Sequence, residues 1–370
     1  MNGENKKLAM EDLGYDAFFE SNRKKLELDG FSVARVISQQ KGTYKVKNTE
    51  GEYLAKITGR QMFHAASKED YPAVGDWVAI SETDEDQAMI RGILPRKTII
   101  KRRHGDKNRK GEKNDAQVIA ANIDTAFIVE SLGRDYNLNR FERYFAIVRN
   151  SGVKPAMILN KIDLISREEL DSKVEEIKNR FPDADVIQTS AVTNEGLSNL
   201  EKYIEKDKTY CFLGSSGVGK SSLINKLLSK EAIKTENISS YSDRGKHATT
   251  SREMYFLESG GIIIDNPGVR EVGMADASAG IDDIFQEIIA LAENCKYANC
   301  THIHEPGCAV LAELKTGNLD ESKYSNFISL KKEVEHYEMS KMEKKEKGKQ
   351  FGKFIKKVKK DLKNAGHKDF

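Results

Sequence analysis

Nowhere in the 370 residues does an apolar run approach the ~20 that a membrane-crossing helix needs, which excludes a bundle of membrane helices. The opening stretch, MNGENKKLAMEDLG, lacks an apolar core followed by a small-residue cleavage site, so nothing marks the chain for export. Cysteine is scarce: Cys211 stands alone, and Cys295, Cys300 and Cys308 fall within fourteen residues. That distribution is unlike a disulfide framework and more like a metal site in a reducing compartment, and a cytoplasmic protein is expected. A net excess of one charge is nearly absent too, 60 basic against 58 acidic residues, but the balance hides an asymmetry. From Lys341 to Phe370 there are twelve lysines and four acidic residues, +8 in all, which leaves −6 for everything before.

What is present is 38% hydrophobic and 32% charged, the composition of a globular chain with cores to bury. Its length exceeds one domain of ~100–200 residues, so two or three are expected. The predicted class is multidomain, all-β followed by α/β. Residues 1–30 read as a polar N-terminal extension. Between 31 and 113 short β-type runs (VARVI, TYKVKNTEG, EYLAKIT, VGDWVAI, AMIRGIL, TIIKR) alternate with turn signals, the pattern of a small barrel or sandwich with Trp77 in its core. The segment ends in a basic linker carrying Arg102, Arg103, Lys107, Arg109 and Lys110. From 114 to 276 strands apolar on both faces alternate with amphipathic helices, which predicts a parallel α/β sheet. Residues 277–340 read as helices around the cysteine cluster, and 341–370 as a basic tail with Lys356, Lys357, Lys359 and Lys360.

The most specific string runs from Gly214 through Ser215, Ser216, Gly217, Val218 and Gly219 to Lys220 and Ser221, a G-x-x-x-x-G-K-S loop followed by Ser222. It lies between the β-run TYCFL and the helix-compatible SSLINKLLSK, the context that a phosphate-binding loop requires. Its glycines let backbone N–H groups close on phosphate oxygens, Lys220 neutralises β/γ charge, and the Ser221 hydroxyl is placed for Mg²⁺. Asn160, Lys161 and Asp163 belong to NKID at the end of the apolar run PAMIL. A carboxylate there accepts two hydrogen bonds from guanine and none in that arrangement from adenine, so GTP is favoured. Ser190 and Ala191, after DVIQT, are positioned to meet the other side of the base.

Asp265 and Gly268 of DNPG follow the strand GIII, where an Asp can hold Mg²⁺ through water and a Gly amide can sense the γ-phosphate. In the intervening RGKHATTSRE, Thr249 or Thr250 supplies a second Mg²⁺ hydroxyl, with the choice left open. Val269 occupies the place of the glutamine that orients water in Ras-like enzymes, and His247 is the candidate replacement. Hydrolysis is therefore expected to be slow until a partner orders the segment. Finally, Cys295-x₄-Cys300-x-His302-x₅-Cys308 is a Cys₃His set suited to one tetrahedral structural Zn²⁺, with His304 as a competing nitrogen.

The nucleotide motifs stand in circularly permuted order, NKID and SA before GSSGVGKS, HATT and DNPG. Together with the β-segment containing VGDWV and the cysteine motif, they closely resemble the RsgA-type (YjeQ) GTPases of small ribosomal subunit biogenesis. The resemblance covers about residues 31–330. It implies an OB-fold barrel, a permuted GTPase domain and a helical zinc domain in which His302 is the ligand. It also implies the small ribosomal subunit and its rRNA as partner, and supports the role given to His247. DNPG stands where DTPG or DSPG is usual for the family. The expected protein is a cytoplasmic, monomeric GTPase with GTP/GDP, Mg²⁺ and Zn²⁺, acting as an assembly checkpoint. The alternatives are a nucleotide-sensing RNA-binding module with little turnover and a permuted GTPase acting on another RNA particle.

Overall fold

The computed structural model describes residues 8–40, 42–59, 67–84, 86–103, 116–133, 136–229, 252–265 and 277–339. The chain divides into two compact units, Met1–Gly273 and Met274–Phe370.

In the first unit the alternating β-segment folds as β1 (Ser32–Gln40), β2 (Thr43–Lys47), β3 (Glu52–Ile57), β4 (Trp77–Asp84) and β5 (Gln87–Ile93). The strands pair in the order β1-β2-β3-β5-β4, and β4 closes back on β1. Only β3 and β5 run parallel. This is a five-stranded OB-type barrel, filled by the inward side chains of Val36, Tyr44, Val46, Tyr53, Ile80 and Ile90. Outward Lys45, Leu54 and Lys56 alternate with buried Val46, Tyr53 and Ala55, as the two-residue period of a strand requires.

The leader is polar on average yet docks by its few apolar residues. Asp16 caps α1 (Ala17–Lys25) by accepting from the Phe18 N–H. Leu13 and Phe19 then bury against Val33, Trp77 and Leu94. Trp77 is fully buried, as its strand position predicts, with Tyr15 edge-on at 4.8 Å.

An antiparallel pair, β6 (Ile99–Arg103) with β7 (Ala116–Ala121), leads into β8 (Thr125–Ser131), β9 (Lys154–Asn160), β10 (Asp185–Thr189), β11 (Thr209–Leu213), β12 (Arg252–Phe256) and β13 (Ile262–Asp265). The interposed helices are α2 (Leu138–Asn150), α3 (Arg167–Arg180), α4 (Leu197–Tyr203) and α5 (Lys220–Leu227). Their buried stripes follow the helical period, as with Leu170, Val174 and Ile177 in α3. The strand order is β10-β9-β8-β11-β13-β12, parallel except at β12. The strand leading into the phosphate loop, β11, is thus central although it comes fourth in the chain, which is the circular permutation in structural form. Phe127, Val129, Ile158, Phe212 and Ile263 are all fully buried, each worth ~1.5–3 kcal/mol relative to exposure.

Barrel and α/β sheet are one continuous sheet, because β1 pairs with β12 through Ser38↔Glu253 and Gln39↔Arg252.

The second unit contains α6 (Ser278–Ile284), α7 (Gln286–Ala292), α8 (Ala309–Thr316) and α9 (Glu321–Glu338), with the cysteine loop between α7 and α8. Among the described residues no helix is long and apolar enough to cross a membrane.

Candidate nucleotide site and metal cluster

Parallel strands deliver their C-terminal ends to one edge of the sheet, where ligands of such sheets bind. β11 ends there at Leu213 and is followed by Gly214, whose φ of +143° and close approach to the Val129 carbonyl, 2.2 Å from where a Cβ would stand, admit only glycine. Gly219, with φ +99°, opens α5, and a Cβ on it would meet the Asn160 Nδ2 at 2.2 Å. Between them the loop turns so that Lys220, Ser221 and Ser222 occupy the first turn of the helix. Lys220 Nζ donates to the carbonyl oxygens of Gly214 and Ser215 at 2.9 and 2.7 Å. Ser216 and Gly217 lie on the exposed rim, whereas Val218 is buried and anchors the loop in the core.

NKID sits at the end of β9, two strands away. Its Asn160 donates from Nδ2 to the Val218 carbonyl at 2.8 Å and accepts at Oδ1 from Thr189 Oγ1 at 3.2 Å. Lys161, in the left-handed region at φ +63°, reaches the Gly217 carbonyl at 2.7 Å. The two side chains therefore strap the 214–219 loop to the end of β9. Asp163 accepts from Ser190 Oγ, which itself accepts from the N–H groups of Val192 and Thr193 at 3.2 and 3.1 Å. Ser190 is buried, Ala191 partly so and Asp163 exposed, leaving the carboxylate accessible to a ligand.

Asp265 ends β13 beside Glu253 of β12 and is buried. Burial pushes its carboxyl up to about 6, against the attraction of Lys220 and with the help of Glu253. A buried carboxyl at this edge, close enough to feel Lys220, suits a divalent cation, whose charge would restore the ionised form. Its neighbours in the predicted constellation, His247, Thr249, Thr250 and Gly268, lie outside the described residues.

Two contributors escaped the sequence reading. Arg140 of α2 donates to Ser215 Oγ at 3.0 Å from 75 residues away. Glu130, at the end of β8, lies 3.7 Å from the same guanidinium and is 1% exposed. Neither belongs to a recognisable string: the β8–β11 pairing brings Glu130 to the loop, and the packing of α2 brings Arg140.

In the second unit, Cys295, Cys300, His302 and Cys308 come together with one ligand atom each, all within 4.8 Å of one another. Tetrahedral Zn²⁺ with bonds of ~2.3 Å to sulfur and ~2.0 Å to nitrogen would set edges of about 3.8 and 3.5 Å. The Cys295 and Cys308 sulfurs are 3.8 Å apart, and His302 Nδ1 is 3.5 Å from both. The donor set thus fits zinc, and His304 is not in it. Cys308 caps α8, its Sγ accepting from Leu311 N–H at 3.4 Å. Burial opposes ionisation of Cys295, but hydrogen bonds from the Ala309 and Val310 N–H groups outweigh it and lower the thiol pKa. The loop is wrapped on the Glu305 carboxylate, which accepts from the N–H groups of Thr301, Ile303 and His304 at 3.0–3.2 Å. Tyr324 of α9 holds the His302 carbonyl at 2.7 Å. Glu305 stands only three residues from His302 and Cys308, yet a carboxylate turned inward on its own loop has no sequence signature.

Residues 93–275 match the model of a family described as RsgA GTPase. The small ribosomal subunit biogenesis GTPase RsgA 2 of Lactiplantibacillus plantarum is 37% identical over 343 residues, 92% of this chain and 94% of that protein. Among solved structures, YjeQ from Thermotoga maritima superposes with a TM-score of 0.59 at 22% identity, covering 82% of this chain and 98% of its own. YloQ, described as a circularly permuted GTPase, follows with 0.55 at 21%, covering 83% and 96%. The permuted strand order thus has counterparts of known structure, and identity runs along nearly the whole of a curated relative: the chain belongs to the RsgA family of circularly permuted GTPases.

Proposed function

We propose that this GTPase binds the small ribosomal subunit in its GTP form and couples hydrolysis of GTP to GDP and phosphate to a late step in maturation of the particle and to its own release. The observation that carries the reading is the 37% identity spanning 94% of a relative named for small ribosomal subunit biogenesis. The barrel supports it: OB barrels commonly bind single-stranded nucleic acid, and the outward Lys45 and Lys56 flank an exposed Leu54. It acts as a monomer in the cytoplasm, where its partner is assembled.

In this reading the residues from Gly214 to Ser222 cradle the phosphates, with Lys220 neutralising transferred charge. Asp163, with Ser190 and Ala191, holds guanine, while Asn160 and Lys161 brace the loop. Ser221, Thr249 or Thr250, and Asp265 hold Mg²⁺, which stabilises the charge on the β- and γ-phosphates when bound. Gly268 senses the γ-phosphate, and His247 orients the attacking water. Cys295, Cys300, His302 and Cys308 hold one zinc ion that closes the loop of the second unit. Because the hydrolytic histidine lies on a switch segment, turnover depends on a partner that orders it.

Steady-state GTP hydrolysis with and without purified small subunits, with large subunits as control, tests the reading. Stimulation of at least tenfold by small subunits alone is expected, abolished by His247→Ala without loss of GTP affinity. Equal stimulation by both subunits, or none, would overturn it.

A further inference from the structure

Asp265 has a use at a nucleotide site, since it can hold a divalent cation, but a second buried carboxylate, Glu130, stands behind the phosphate loop with no such task. The parallel pairing of β8 and β11 sets Ile128 beside Leu213, and Gly214 packs on the Val129 carbonyl. The next residue, Glu130, therefore stands level with Ser215, at the base of the phosphate loop and almost wholly removed from water. Attraction and repulsion are both amplified where water is excluded, so an uncompensated carboxylate here would oppose phosphate binding.

Arg140 is placed against that effect. Its Nη1 lies 3.7 Å from Glu130 Oε1, an ion pair, and 3.0 Å from Ser215 Oγ, a hydrogen bond. Through that contact α2 (Leu138–Asn150) holds the first variable residue of the loop from behind. The guanidinium is one-third exposed while the Glu130 side chain is 1% exposed, so the anion is reached by this cation far more than by water.

We infer that Arg140 is a positioning residue for the nucleotide phosphates: it cancels the charge of Glu130 at the back of the loop and holds Ser215, and with it the loop backbone, in the phosphate-binding form. The inference rests on the reading of 214–222 as the phosphate cradle. It makes Glu130 and Arg140 a coupled pair, so that the cost of removing the cation depends on whether the anion remains.

The test is fluorescence titration of the full-length protein with mant-GDP and a mant-labelled non-hydrolysable GTP analogue in Mg²⁺, for the native sequence, R140M, R140K, E130Q and E130Q/R140M. R140M is expected to weaken GDP binding by about tenfold and the triphosphate by more, since repulsion grows with phosphate charge. R140K should fall between, and E130Q/R140M should return to within about threefold of the native protein. E130Q alone, which keeps the Ser215 contact, should bind the triphosphate at least as tightly as the native protein and serves if R140M does not fold. Equal losses for GDP and the triphosphate, no gain in the double variant over R140M, or weakened binding in E130Q would each overturn the pairing. Absence of binding by the native protein would instead overturn the cradle itself.

Discussion

At the scale of single residues, Asp265 shows what a buried carboxyl at the sheet edge costs the fold. Its pKa in the folded protein, pushed up to about 6 by burial, lies above the ordinary 3.8, so the folded state keeps a proton that the unfolded chain has released. Stability from this group is complete below pH ~4 and is lost as pH rises through 6. The difference between the folded and unfolded pKa is worth ~3 kcal/mol, and at neutral pH, in the absence of a cation, that loss is complete. Asp265→Asn should therefore stabilise the nucleotide-free protein by up to ~3 kcal/mol near pH 7.5 and by nothing near pH 4. Urea unfolding across that range checks it, and a pH-independent difference would contradict the assignment. The same variant should lose Mg²⁺-dependent hydrolysis, the usual exchange of activity for stability at a functional carboxylate.

At the scale of elements, α8 and the loop before it are too small to stand on apolar burial. Of the helix, only Val310 is buried. Order comes instead from Cys308 at the helix N-cap, the Glu305 carboxylate beneath the loop and Tyr324 on the His302 carbonyl. Thiolates at a helix N-terminus repel one another unless a cation joins them, and structural zinc contributes on the order of 10 kcal/mol to such loops. Stripping the metal with a chelator at neutral pH should raise amide exchange across residues 295–316 by at least tenfold. Replacement of zinc by Co²⁺ should restore protection. Unchanged exchange after metal analysis shows zinc to be gone would refute a structural role.

At the scale of the whole first unit, one buried cation joins three parts of the chain. Arg35 of β1 donates to the Leu13 carbonyl of the leader at 2.5 Å, to the Gly75 carbonyl at 3.4 Å, to the Asn122 carbonyl at 3.2 Å and to Thr209 Oγ1 at 2.8 Å. Thr209 opens β11, the strand that leads into the phosphate loop. Burial lowers the guanidinium pKa to about 10, with Asp124 and Asp76 opposing, and it remains charged at neutral pH. Asp76 in turn pairs with Arg96 at 2.7 Å, and Arg96 fastens the Glu69 and Tyr71 carbonyls. Arg35→Met should cost on the order of 3 kcal/mol or more, because several buried acceptors lose their donor together. It should also split unfolding into two steps. Trp77, the single tryptophan, reports the barrel by fluorescence, and far-ultraviolet circular dichroism weights the α/β helices. Native midpoints should coincide and those of the variant should separate; coincident, unshifted midpoints would refute the joint.

The parts legible in the sequence are those whose physics is local. A phosphate loop is a run of backbone N–H groups between a strand and a helix, so Gly214 to Ser222 can be read from spacing alone, and NKID, SA and Asp265 each sit where a strand ends. The cysteine loop closes within fourteen residues and was equally plain. The barrel was foreshadowed by period-two alternation, and Trp77 took its expected place in the core. What only the tertiary structure decided are contacts between distant residues: Arg140 on Ser215, Arg35 on Thr209 from 174 positions away, and β1 on β12. The N-terminal segment belongs with them, since scattered apolar residues such as Leu13 and Phe19 in a polar segment have no meaning until a barrel presents a face to cover. A motif is determined by the geometry of its own backbone, whereas a charge, a lone Leu or a strand edge acquires its role from whatever the fold sets opposite it.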